Sequence, residues 1–218
     1  MSLVSRSLPP CVSPRDFPMP QPLLEEIVAA APQSRAASLA FALLRCRPAA
    51  PVMTILPRAA RREFGRPGLH GILRLRADAQ LLMVVPQTLA EALWAMEQAL
   101  KSGALGGVIG VIEGATLTQS RRLDYAARDG GTPALLLRTR EGGLSAARRR
   151  WRIASLPSAA NPFDAAAPGA LRLHAELVRA RDRPPGAWVL DHDPATGGIA
   201  VAAALAADRP REIARRAA

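Results

Sequence analysis

Short, wholly apolar runs separated by longer stretches of helical period constrain this chain more than any other feature. "VMTIL", "LLMVV", "VIGVI" and "ALLLR" carry almost no polar alternation, as strands covered on both faces do. "SRAASLAFALLRC", "TLAEALWAMEQAL" and "TQSRRLDYAARD" between them have helical spacing and supply the covers. With "EEIVAAAP" as a first strand, the order of elements predicts an α/β domain with a mostly parallel central sheet flanked by helices. Right-handed crossovers place "VIGVI" and "ALLLR" beside or near "LLMVV".

Two of the helices carry their own punctuation. Thr88 followed by Glu91, and Thr116 followed by Gln119, form capping-box pairs. Leu89, Leu93, Met96 and Leu100 share one face of the first, and Gly103 stands where a C-terminal stop belongs. After Arg140 the pattern changes to alternation and turns. "RRRWRIASLP", "LRLHAELVRA" and "GAWVLDHD" read as antiparallel strands, the last two joined across "RDRPPG". They predict an antiparallel extension at one edge of the sheet.

Residues 1–22 carry six prolines and no regular period, so they read as a poorly ordered arm. The folded domain is expected over residues 23–205, followed by a basic tail, residues 206–218. No segment reaches the roughly 18–20 apolar residues of a membrane span, and no apolar stretch precedes the N-terminal prolines as in an export signal. A soluble, cytoplasmic protein without a membrane partner is expected. Cys11 and Cys46 are single, and His70, His174 and His192 lack ligand spacing, so neither a disulfide framework nor a metal site is expected.

The chain has 29 basic residues against 18 acidic ones, a formal net charge of +11. That surplus favours an anionic partner, nucleic acid first. Arg138, Arg140, Arg148, Arg149, Arg150 and Arg152 crowd into one stretch with a single acid, Glu141, and Trp151 sits among them as a candidate stacking ring. Arg179, Arg181 and Arg183 extend the candidate contact surface around the later hairpin.

Lys101, the one lysine, lies in "ALKSGALGGVIGVIEG". A phosphate loop needs its glycines between strand and helix, with lysine and a hydroxyl at the end. Here lysine and serine end a helix and the glycines lead into a strand, so the stretch is a helix stop. The topologically correct place is "AAAPQSRAASLAFALL", where Ala36 and Ala37 stand in place of a Gly-Lys pair between Arg35 and Ser38. Methyl groups there remove both the flexible turn and the phosphate charge. Glu113, after "VIGVI", occupies the place of a metal-directing carboxylate. "DHDP" reads as a hairpin-end turn, and "GGLSAA" resembles G-x-S-x-G only loosely, with arginines rather than a strand and helix beside it.

"LWAMEQALKSGALGGVIGVIEG", "LTQSRRLDYAARDGGTPALLLR" and "SAARRRWRIASLPS", within residues 93–158, resemble the ImuA family, RecA-like accessory factors of bacterial translesion synthesis. Weaker likeness to the RecA core runs over residues 23–205. The resemblance implies a RecA-like core in an SOS-induced mutagenic assembly. Its implied partners are an ImuB-like inactive polymerase-fold protein, an error-prone replicative-type DNA polymerase, RecA and DNA. Ala36 and Ala37, with no carboxylate in residues 54–57, argue against ATP hydrolysis and for a noncatalytic adaptor without cofactor. Two alternatives stand beside it. One is a weak DNA-dependent ATPase using the degenerate loop and Glu113. The other is a small-molecule α/β enzyme, which a deep apolar pocket above the sheet would support.

Overall fold

Nine strands form one sheet in the computed structural model, which describes residues 17–161, 163, 164 and 166–202. In chain order the elements are β1 (Leu24–Ala29), a 3-10 turn (Pro32–Ser34), α1 (Arg35–Leu44), β2 (Val52–Ile55), α2 (Arg58–Phe64) and α3 (Leu69–Leu75). Then follow β3 (Leu81–Val84), α4 (Leu89–Lys101), β4 (Gly107–Val111), α5 (Leu117–Asp129) and β5 (Ala134–Arg138). The last four are β6 (Arg149–Ser155), β7 (Arg172–Ala180), β8 (Gly186–Asp193) and β9 (Gly198–Val201).

The spatial order is β3-β2-β4-β5-β1-β6-β7-β8-β9. Strands from β3 through β6 pair parallel, and β6 to β9 pair antiparallel. The mostly parallel sheet with an antiparallel extension is therefore present, with one difference. "RRRWRIAS" pairs parallel with β1 on one side and antiparallel with β7 on the other. It is the junction of the two halves rather than a member of the antiparallel set. "VIGVI" is separated from "LLMVV" by β2 and lies directly beside "ALLLR".

Each face of the sheet has its own core. On one face α1 packs Phe41 against Ile27, Trp151, Leu173, Trp188 and Leu190, so β6–β8 share the core of the parallel strands. On the other face α4 and α5 bury Met96, Leu100 and Leu123 against Leu24, Ile55, Val108 and Leu136. Burial of these side chains, at about 1.5–3 kcal/mol each, is the main stabilising term.

The helix punctuation holds in detail. Thr88 Oγ1 accepts from the Glu91 N–H at 3.2 Å, and Thr116 with Gln119 completes a reciprocal capping box. Gly103 adopts φ 65°, the left-handed stop that a side chain would strain. Leu89, however, is exposed. Strand β3 differs similarly from the covered strand expected: it is the sheet edge, and Leu82 and Met83 are open to solvent.

The N-terminal boundary also moves. Phe17 packs its ring 5.9 Å from Trp151 and 5.5 Å from Trp188. The Pro18 and Met19 carbonyls accept from Arg45 and Arg149. Folded structure thus begins by Phe17 rather than Leu23. The rest of the proline-rich arm and the basic tail lie outside the described residues. Among those described, no helix is long and apolar enough to cross a membrane.

Candidate functional site

The crevice at the C-terminal ends of β1, β2, β4 and β5 is where an open α/β sheet places a ligand. It is formed on one side by the entry to α1 and on the other by α2 and α3. A cavity of about 670 Å³ occupies it, with Ile27, Leu39, Leu43, Leu56, Ile72 and Leu137 in the lining. The lining is mostly apolar, with Arg35, Arg66, Arg138 and Glu63 as its charged members.

Each residue of the degenerate phosphate-loop position has a local explanation. Ala36 is exposed at the crevice and Ala37 is buried in the core. Ser38 is buried, and its hydroxyl donates to the Ser34 carbonyl at 3.2 Å, so it does not face the crevice as a free hydroxyl. Arg35 leans across onto α2, its guanidinium 4.2 Å from the Phe64 ring centre and 4.0 Å from Glu63.

Glu113 follows β4 but is absent from the cavity lining. Its carboxylate accepts from the Thr139 N–H and lies 3.7 Å from Arg138 Nε. It ties the end of β4 to the end of β5, which is a structural use for a strand-terminal acid. Among the described residues, no histidine or cysteine lines the cavity. Burial pushes the Cys46 thiol up to about 12, so it is protonated and unreactive. No group of three or more His, Cys, Asp or Glu side chains suited to a metal occurs among the described residues.

The arginine-rich stretch is the largest correction. Strand β1 carries two adjacent glutamates, Glu25 and Glu26, both 2% exposed at the centre of the sheet. Successive side chains point to opposite faces, so each needs its own counter-ions. Glu25 receives Arg45 at 2.6 Å and Arg149 at 3.3 Å, and its second oxygen accepts from Trp151 Nε1 at 2.6 Å. Glu26 receives Arg138 at 3.3 Å and Arg150 at 2.8 Å.

Arg149 is fully buried and also pairs with Asp182 at 2.8 Å, holding that carboxyl below the usual Asp value. Arg148 pairs with Asp124, and Arg152 with Glu141 and Glu176. Trp151 is fully buried among Phe17, Phe41 and Trp188, so it is a core ring and offers no face to a base. Most of the run is therefore internal charge compensation.

Arg140, Arg179 and Arg181 are exposed and make no ion pair among the described residues. Arg183 pairs with Asp182 at 3.4 Å. Arg179 and Arg181 flank the end of β7, whereas Arg140 sits beyond β5, so the structure does not gather them into one patch.

Sequence reasoning passed over a second basic segment among the described residues. Helices α2 and α3 and their link carry Arg58, Arg62, Arg66 and Arg74 exposed and Arg61 half-buried, with Glu63 as the one acid. Five arginines against one acid in residues 58–75 was visible in the sequence. Trp94 and Tyr125, 64% and 63% exposed on α4 and α5, were likewise missed.

No family model matches the chain. Over 151 residues it is 35% identical to Protein ImuA of two Caulobacter vibrioides strains, covering 64% of this chain and 61% of the relative. The chain thus spans less than two thirds of the length of these curated relatives. It is 44% identical over 80 residues to a cell division inhibitor, SulA, of Edwardsiella piscicida, covering 36% of this chain and 42% of that one. Among solved structures, the RadB recombinase matches 83% of this chain and 91% of its own with a TM-score of 0.53 at 13% identity, a likeness of fold alone.

Proposed function

We propose that this relative of the ImuA family is a noncatalytic RecA-like adaptor in SOS-induced, error-prone translesion DNA synthesis. It joins an ImuB-like inactive polymerase-fold protein, an error-prone replicative-type DNA polymerase and RecA in the cytoplasm, and it contacts DNA. The observation that supports the noncatalytic part is the crevice: apolar side chains line it, and alanines stand where a Gly-Lys pair would hold phosphate. Phosphate transfer needs preorganised positive groups and a metal-directing acid at that point. Glu113, the acid that a weak ATPase would use, is engaged with Thr139 and Arg138 instead.

One observation favours a small-molecule reading as well, namely the apolar cavity itself. It supplies a binding volume, but the charged groups in its lining are three arginines and Glu63, and Glu63 is paired. That set supports binding better than chemistry.

Mixed with an ImuB-like protein, the purified chain is expected to co-elute on size-exclusion chromatography. Separate elution at micromolar concentrations would remove the adaptor role. Direct DNA contact is assigned to Arg179 and Arg181. Their double alanine variant is expected to lower the salt slope of single-stranded DNA binding by roughly 1–1.5, at about 0.7 per phosphate contact. An unchanged slope would take that contact away from β7.

A further inference from the structure

We infer that the crevice is a docking groove for an acidic protein segment with aliphatic anchors, gripped by Arg66 in the link between α2 and α3, with the arginines of those two helices outside the cavity lining. The inference rests on the adaptor reading and names the chemistry of one partner. Three observations carry it. The cavity interior is aliphatic, built from Leu39, Leu43, Ile72 and their neighbours, and suits branched side chains. Its charged lining is Arg35, Arg66, Arg138 and Glu63, a net positive rim. Arg35 and Arg138 are neutralised by Glu63 and by Glu26 with Glu113.

Arg66 remains open at the rim, and Arg61, Arg62 and Arg74 on the same two helices have no ion pair among the described residues. Carboxylates are the natural complement, held by charge-assisted hydrogen bonds. Single-stranded nucleic acid fits less well. Its bases stack on open aromatic faces, and Phe64, the one ring in the lining, is covered by the Arg35 guanidinium.

Gly71 makes the groove testable without damaging the fold. It lines the cavity within α3, and a Cβ placed on it meets nothing within 4 Å. A tryptophan there adds an indole at the cavity wall without a clash at its Cβ, and it removes a glycine from a helix interior, a change that favours the helix.

The probes are synthetic peptides of about twelve residues carrying two leucines, flanked by Asp and Glu, by Ser, or by Lys, with oligo-dT beside them. Fluorescence anisotropy is expected to rank acidic above neutral above basic peptides. Gly71→Trp is expected to weaken the acidic peptide at least tenfold, about 1.4 kcal/mol, with an unchanged or raised melting temperature. Arg62→Glu with Arg66→Glu is expected to move the preference towards the Lys-flanked peptide.

Equal binding of all three peptides, or binding unaffected by Gly71→Trp, would overturn the inference. So would oligo-dT binding that depends on Arg62 and Arg66 while the peptides fail. Peptide failure without ATP turnover defeats this inference alone, whereas ATP that is hydrolysed and displaces the peptide defeats the adaptor reading as well.

Discussion

Glu25→Ala is expected to destabilise the protein by about 3–5 kcal/mol, the range for removing one partner of a buried ion pair. Glu25 stands between two buried guanidiniums, Arg45 and Arg149, and accepts from the Trp151 indole. Without it the two cations face each other, with Asp182 as the remaining acid on Arg149. The indole N–H also loses its acceptor. Against a total stability of about 5–15 kcal/mol, loss on that scale should appear as insoluble expression or a sharply lower urea midpoint. Arg140→Ala, at an exposed residue without an ion pair, should stay within about 0.5 kcal/mol. If Glu25→Ala matched it, the buried charge cluster would not hold the sheet as described.

This result also bears on how the arginine run can be probed. Replacing Arg148, Arg149 and Arg150 together would remove counter-ions of Asp124, Glu25 and Glu26 at once. Lost DNA binding in that variant would report unfolding rather than a contact.

Trp151→Ala is the second large effect, again about 3–5 kcal/mol, as for other fully buried large rings. Its indole lies 5.1 Å from Phe41, 6.0 Å from Trp188 and 5.9 Å from Phe17, and the Arg45 guanidinium lies 5.0 Å from its ring centre. Truncation opens a cavity between the sheet and α1 and leaves one Glu25 oxygen without its donor. Trp94→Ala, at a ring 64% exposed, is expected to leave the urea midpoint nearly unchanged. Near-ultraviolet circular dichroism should lose most of its signal in the Trp151 variant and little in the Trp94 one. The reverse pattern would mean that Trp151 is the solvent-facing ring.

The difference between these two tryptophans shows what was legible in the sequence. Helix periods, capping pairs, apolar runs and, after Arg140, alternation are local signals, and they place the strands β1 to β8 and the helices α1, α4 and α5, but neither the 3-10 turn nor the pair α2 and α3. Those two are seven residues each, have no capping side chain and lie among Pro and Gly, so periodicity had little length to act on. Strand β6 alternates as an exposed strand would, yet it is central: Arg150 and Arg152 turn to acids on neighbouring strands and loops rather than to solvent. The signal that could have exposed this is "EE" at the head of an otherwise apolar first strand. Two acids in a strand covered on both faces require basic partners, and the arginine run across the sheet provides them.

That Ala36 and Ala37 stand where a phosphate loop would carry glycine and lysine was legible from residue identity alone, with no knowledge of packing. What could not be read was how the crevice beside these alanines is lined. Only the fold shows Leu39, Ile72 and Leu137 closing on the same volume, and Glu113 turned to Thr139.

The adaptor proposal requires that this crevice hydrolyse no ATP. Its most direct test is ATP turnover by the purified chain with and without single-stranded DNA, with Glu113→Ala measured alongside. No turnover above the buffer background in either protein is the predicted result. Turnover that DNA stimulates and Glu113→Ala abolishes would contradict the account.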